Sequence, residues 1–181
     1  MTTKKTAPTW RDIKAKFTDF ERDELIGLLK DMYTASKDNQ TFLNARFELS
    51  GDVLKPYKFT INRWLWPDMF KSQDVSIVKA KKAISDYKKA VGTQDGQTEL
   101  MVYYCEQAIG FANEVGLDDD RYYDAFLMMF EQALKLTMMM PETPRQQFLD
   151  RLDVVRKSNQ NISGWVAGEC DEFWLREGPP T

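Results

Sequence analysis

Apolar residues fall at three- and four-residue intervals through most of this chain, and no stretch of useful length alternates with period two. That spacing returns to one side of an α-helix, so the pattern predicts an all-α protein. The densest run is Glu21 to Phe47, where Leu25, Leu28, Leu29, Met32 and Tyr33 share one side of a helix. That side is expected to be buried. Ser36, Asn39, Leu43 and Arg46 would continue along one stripe if the helix ran on unbroken. Short polar side chains at Ser36 to Asn39 compete for backbone hydrogen bonds and suit a cap or turn. The favoured reading is therefore a break, with helices from Asp23 to Tyr33 and from Thr41 to Leu49 joined by a corner built on Ser36 and Asn39.

Before this pair, Thr9 is placed to cap a short helix with Trp10, Ile13 and Phe17 on one face. After it, Ser50 and Gly51 read as a turn. Tyr57 to Leu65 reads as a helix that stops ahead of Pro67. The rings of Tyr57, Phe59, Trp64, Trp66 and Phe70 are expected to pack a core or a seam between helices; an aromatic recognition surface would need several of them exposed together. Ile77, Ala80, Ile84, Tyr87 and Val91 form the apolar edge of a further helix, stopped by Gly92.

A loop through Gly92 and Gly96 then leads to Thr98 as the cap of a helix that runs to Val115, and its wide apolar face marks it as central. Asp118 to Asp120 open the next helix, and Thr143 with Pro144 the one after. Asn159 to Gly164 reads as a turn, followed by a tail from Trp165. Seven or eight helices on short links predict a multi-helix bundle or a short stack of antiparallel helical hairpins. One helical domain is expected over 9–175, with flexible ends at 1–8 and 176–181.

Composition narrows the chemistry. The chain has no histidine, the commonest metal ligand and the usual general base near neutral pH, which excludes histidine triads, zincin-type proteases and histidine-ligated haem. Its net charge of -3 gives no global reason to expect a nucleic-acid partner. No apolar run approaches the length of a bilayer span, and the start MTTKKTAPTW lacks the apolar segment of a secretory signal, so a cytoplasmic protein without a membrane partner is expected. Cys105 and Cys170 lie outside any CxxC pattern and signal neither a zinc ribbon nor a disulfide framework.

Two polar constellations are candidate anion sites. Lys79, Lys82 and Lys89 share one side of the helix that starts near Val75, and Arg46 and Lys58 join them if the fold brings those segments together. Ser36, Asn39 and Arg46 either tie the helix corner or, with helix amides, hold a phosphate or carboxylate. Asp118 to Asp120 lack the alternating ligands and distal glutamate of a calcium loop and read as a helix cap, and Glu169, Asp171 and Glu172 read as surface charge. No metal, cofactor or catalytic residue is signalled.

Several segments together resemble a family of uncharacterised, mainly bacterial proteins defined as a domain of unknown function. They are LIGLLKDMYTASKDNQTFLNARF, KPYKFTI, AKKAISDYKKAVG, ELMVYYCEQAIGFANEVG and, near the end, GWVAG, in the same order over most of the chain. The last segment departs from the expected pattern, which places a glycine where this chain has Val166. The resemblance implies a helical fold and no activity. The expectation for function is a helical protein-interaction or scaffold module without catalysis, possessing a protein partner or associating with itself; the alternative is a small-anion or nucleic-acid binding module using Arg46, Lys79, Lys82 and Lys89.

Overall fold

The computed structural model describes residues 7–49, 51–68, 71, 73–158 and 164–180. Expectations for residues 1–6, for Ser50 and Phe70, for the turn over 159–163 and for Thr181 fall outside the described residues. Among the described residues the chain is all-α, with helices α1 (Trp10–Phe17), α2 (Arg22–Ala35), α3 (Lys37–Arg46), α4 (Lys55–Leu65), α5 (Ile77–Ala90), α6 (Gln94–Val115), α7 (Asp120–Met138), α8 (Glu142–Ser158) and α9 (Gly164–Glu177). Two compact units are present, residues 1–43 and 44–181, and the division falls within α3.

In the first unit, local chemistry starts and stops each helix. The backbone N–H and hydroxyl of Thr9 both donate to the Asp12 carboxylate, at 2.7 and 2.8 Å, fixing the first turn of α1. The N–H of Glu21 donates to Glu24 at 2.8 Å and does the same for α2. Ser36 leaves the helical region for an extended conformation, and its hydroxyl accepts from the Asp38 N–H at 3.1 Å. Asn39 Nδ2 donates back to the Met32 carbonyl at 2.7 Å, satisfying one of the acceptors left over at the end of α2. The break thus lies at Ser36, and α3 starts at Lys37, one turn earlier than the sequence pattern indicates.

Neither α1 nor α2 contains a buried residue. The expected burial of the Leu25, Leu28, Leu29, Met32 and Tyr33 side is therefore overturned: Leu25 and Leu28 are half-buried and the other three exposed. Helical periodicity identifies a face that excludes water in some state of the protein, but nothing in the spacing supplies the surface that covers it.

In the second unit, α3 ends in a Schellman arrangement. The N–H groups of Glu48 and Leu49 bond back to the carbonyls of Ala45 and Asn44, with Glu48 in the left-handed region at φ 52°. The Asp52 carboxylate then accepts from the N–H groups of Leu54 and Lys55 and opens α4. Helix α6 is the hub of the bundle, packing against α4, α5, α7 and α8, while α9 lies on α7 and α8. Its buried Leu100, Val102, Tyr104, Cys105 and Phe111 meet Ile61 and Leu65 of α4, Ile84 and Tyr87 of α5, and Phe126, Phe130 and Leu134 of α7 in one continuous core. Alanines at 80, 83 and 90 keep the buried side of α5 low, which lets the helix approach its neighbours closely.

Two expectations are corrected here. Helix α6 is capped by Thr93, not Thr98, so Gly96 lies inside its first turn and Thr98 is a buried residue whose hydroxyl donates to the Gln94 carbonyl at 3.0 Å. The stretch from Trp165 is a helix, α9, because Val166 and Cys170, four residues apart, bury completely against the bundle. The aromatic seam is present in part. Trp66 meets Phe111 edge to face with centroids 6.4 Å apart and Tyr57 meets Tyr87 at 5.3 Å, whereas Phe59 is 72 % exposed.

Candidate functional site

Lys79, Lys82 and Lys89 lie along one side of α5, and the structure places Asp86 in the same stripe. The Lys82 ammonium is 2.5 Å from its carboxylate and that of Lys89 is 3.9 Å away, so the acid offsets part of the positive charge where an anion would sit. Lys79 turns to α4, with its ammonium 3.8 Å from the centre of the Trp64 ring; the Arg63 guanidinium stands 4.5 Å from the same ring. Arg46 meets this helix at its end, donating from Nη2 to the Lys89 carbonyl at 2.6 Å. Arg46 and Lys89 are thus brought together through the backbone, Lys82 and Lys89 through a shared acid, and Lys79 is directed to an indole. Ser36 and Asn39 make the corner bonds described above.

Lys58 goes elsewhere, into a four-charge cluster that spacing alone does not reveal. Glu99, Tyr103 and Glu106 share one face of α6, and Arg151 of α8 reaches across to both acids. Its Nε and Nη2 hold Glu106 at 2.7 and 2.9 Å, its Nη1 donates to Glu99, and Lys58 of α4 donates to Glu99 at 2.6 Å. The Lys58 ammonium also lies 5.3 Å from the centre of the Tyr103 ring. Burial pushes the Glu99 carboxyl up, but the Arg151 guanidinium and the Lys58 ammonium outweigh it and hold the group below its ordinary value. A general acid needs the opposite, a carboxyl raised towards the working pH. With two acids matched by two bases, the cluster is a staple joining α4, α6 and α8.

Three of the remaining acid candidates, Asp119, Asp171 and Glu172, also have partners. Asp119 caps α7 by accepting from the N–H groups of Arg121 and Tyr122 at 3.0 and 3.3 Å. Asp171 pairs with Arg156 at 2.5 Å, and Glu172 lies 3.6 Å from Arg176. Among the described residues no group of three or more potential ligands could hold a metal ion, and no helix is long and apolar enough to cross a membrane. Both cysteines are buried; burial, reinforced by Cys170, pushes the Cys105 thiol well up and away from the reactive thiolate.

Within the first unit, α2 leaves an apolar side exposed. On α2, Ile26, Leu29 and Met32 are 50 %, 52 % and 48 % exposed, and Tyr33 shares their side. On α1, Trp10 and Ile13 are exposed, although Trp10, Phe17 and Phe20 form a short chain of rings with centroids 5.9 and 5.8 Å apart. Scattered exposed leucines are ordinary, but a stripe of large side chains over the length of one helix is the kind of patch that marks an interaction site. No protein-family model, curated protein or solved structure matches this chain.

Proposed function

We propose that this protein is an interaction module that works by docking and without catalysis, and that the exposed apolar side of α2 is its docking surface. The supporting observation is the 14-residue helix α2, which presents Leu25, Ile26, Leu28, Leu29, Met32 and Tyr33 at helical spacing and buries none of its residues. Helices of about 12 to 15 residues are marginal in water by themselves, because the cost of nucleating them is barely recovered by propagation. A sequence patterned in this way gains stability when a second surface covers the stripe. The ionisable groups of the bundle support the same reading, since Glu99, Glu106, Asp119 and Asp171 are each committed to structural partners.

The test is the double substitution Ile26→Ser with Leu29→Ser, followed by thermal unfolding of the whole chain at a dilution where light scattering gives the monomer mass, so that no second copy covers the stripe. A docking surface predicts a melting temperature within about 1 °C of the parent, because little buried area is lost from the folded chain. A drop of more than about 4 °C, equivalent to a kilocalorie or two for a chain of this size, means that these side chains are buried within the chain itself and ends the reading.

A further inference from the structure

We infer that the occupant of the α2 surface is a second copy of this chain, with the two α2 helices packed antiparallel about a twofold axis; this rests on the docking reading above. Such an interface uses the same patch on both copies, so the patch must be complementary to its own inverted image. The apolar part meets that requirement without further conditions, since a stripe at three- and four-residue spacing packs against another such stripe in either direction. The charges choose the direction.

The N-terminal end of the segment carries Asp19, Glu21, Asp23 and Glu24 against Arg22 alone, whereas at the C-terminal end Lys30 and Lys37 are matched by Asp31 and Asp38. Antiparallel packing sets the acidic end of each copy beside the neutral end of the other, whereas parallel packing sets acid against acid. One edge of the stripe sharpens the choice. Asp23 and Lys30 are two turns apart beside Ile26 and Tyr33, and a twofold axis crossing α2 between residues 26 and 27 brings Asp23 of each copy to Lys30 of the other. Neither side chain has an ion-pair partner among the described residues. On the opposite edge, Glu24 is folded back onto the Glu21 N–H at 2.8 Å, which turns its carboxylate away from Asp31 of the second copy.

The experiment is light scattering on the full chain across a dilution series, comparing the parent with Asp23→Lys, Lys30→Asp and the double swap carrying both. The expected result is a mass of twice 21.1 kDa that falls towards 21.1 kDa on dilution. Each single swap places like charges opposite each other twice and weakens association by about tenfold, while the double swap restores it to within about threefold. Association that the single swaps leave unchanged, or that the double swap fails to restore, overturns the antiparallel pair. A mass of 21.1 kDa at every concentration, with the Ile26→Ser, Leu29→Ser variant melting like the parent, overturns self-pairing and leaves the surface to a different protein. The same mass with that variant melting well below the parent overturns both readings.

Discussion

The guanidinium of Arg46 donates to the main-chain carbonyl of Lys89 at 2.6 Å. Lys89 lies in the last turn of α5, where carbonyls have no amide ahead of them in the helix and the macrodipole is negative. A residue that sequence spacing offers as an anion ligand is therefore a cap, supplied from a distant part of the chain, on the very helix whose lysines it was expected to assist.

Replacing Arg46 with alanine removes that cap and is expected to destabilise the protein by about 1 kcal/mol, or roughly 2 to 4 °C in melting temperature. Calorimetric titration with inorganic phosphate is expected to be the same for parent and variant. A lost phosphate signal at unchanged stability would show instead that Arg46 is a ligand-binding residue.

The Glu99 cluster predicts a dependence on pH with a definite sign. Because its partners hold Glu99 below the ordinary value of 4.5, its ionised form favours the folded state; that contribution is complete above the ordinary value and is lost as pH falls through the lower, folded-state one. Glu99→Gln is expected to cost about 1 to 3 kcal/mol near neutral pH, since Lys58 and Arg151 lose a charged partner in a half-buried setting. Urea unfolding repeated down to about pH 3 should show the gap between parent and variant closing. A constant gap would mean that the carboxylate charge is irrelevant there.

Gly96 and Gly27 predict opposite responses to the same substitution. A Cβ at Gly96 would overlap the Tyr87 hydroxyl, which is held 2.8 Å from the Thr93 hydroxyl at the start of α6. Gly96→Ala is expected to destabilise by about 1 to 3 kcal/mol despite the better helix former it introduces. At Gly27 nothing lies within 4 Å, and Gly27→Ala is expected to raise the helicity of α2, worth up to about 1 kcal/mol. Thermal unfolding reads the first and far-ultraviolet circular dichroism the second.

The same glycine shows where sequence reading reached its limit. Thr9 as a cap, the break at Ser36 and the end of α6 at Val115 follow from local preferences, and each is legible in the sequence. Gly96 looks like part of a loop because its helical role depends on Tyr87, a neighbour across a turn between two helices. The α9 helix was obscured similarly: its two fully buried residues, Val166 and Cys170, are too few to give a periodic signal, and packing on α7 and α8 supplies the rest. The pairing of Arg151 with Glu99 and Glu106 joins residues more than forty positions apart and depends on which faces of α6 and α8 meet. Asp86, in contrast, lies in the lysine stripe at helical spacing, so its offset of Lys82 and Lys89 is legible in the sequence.

An α2 helix without buried residues also has a kinetic consequence. Amides in α6 are released to solvent only when the core around Leu100, Cys105 and Phe111 comes apart, but nothing comparable restrains those of α2, which exchange hydrogen through local opening. Covering the stripe slows that opening in proportion to how often it is covered. The deuterium uptake of residues 22–35, measured against the slow clock of α6 in the same molecule, is thus a built-in gauge of how much of the protein has found its partner.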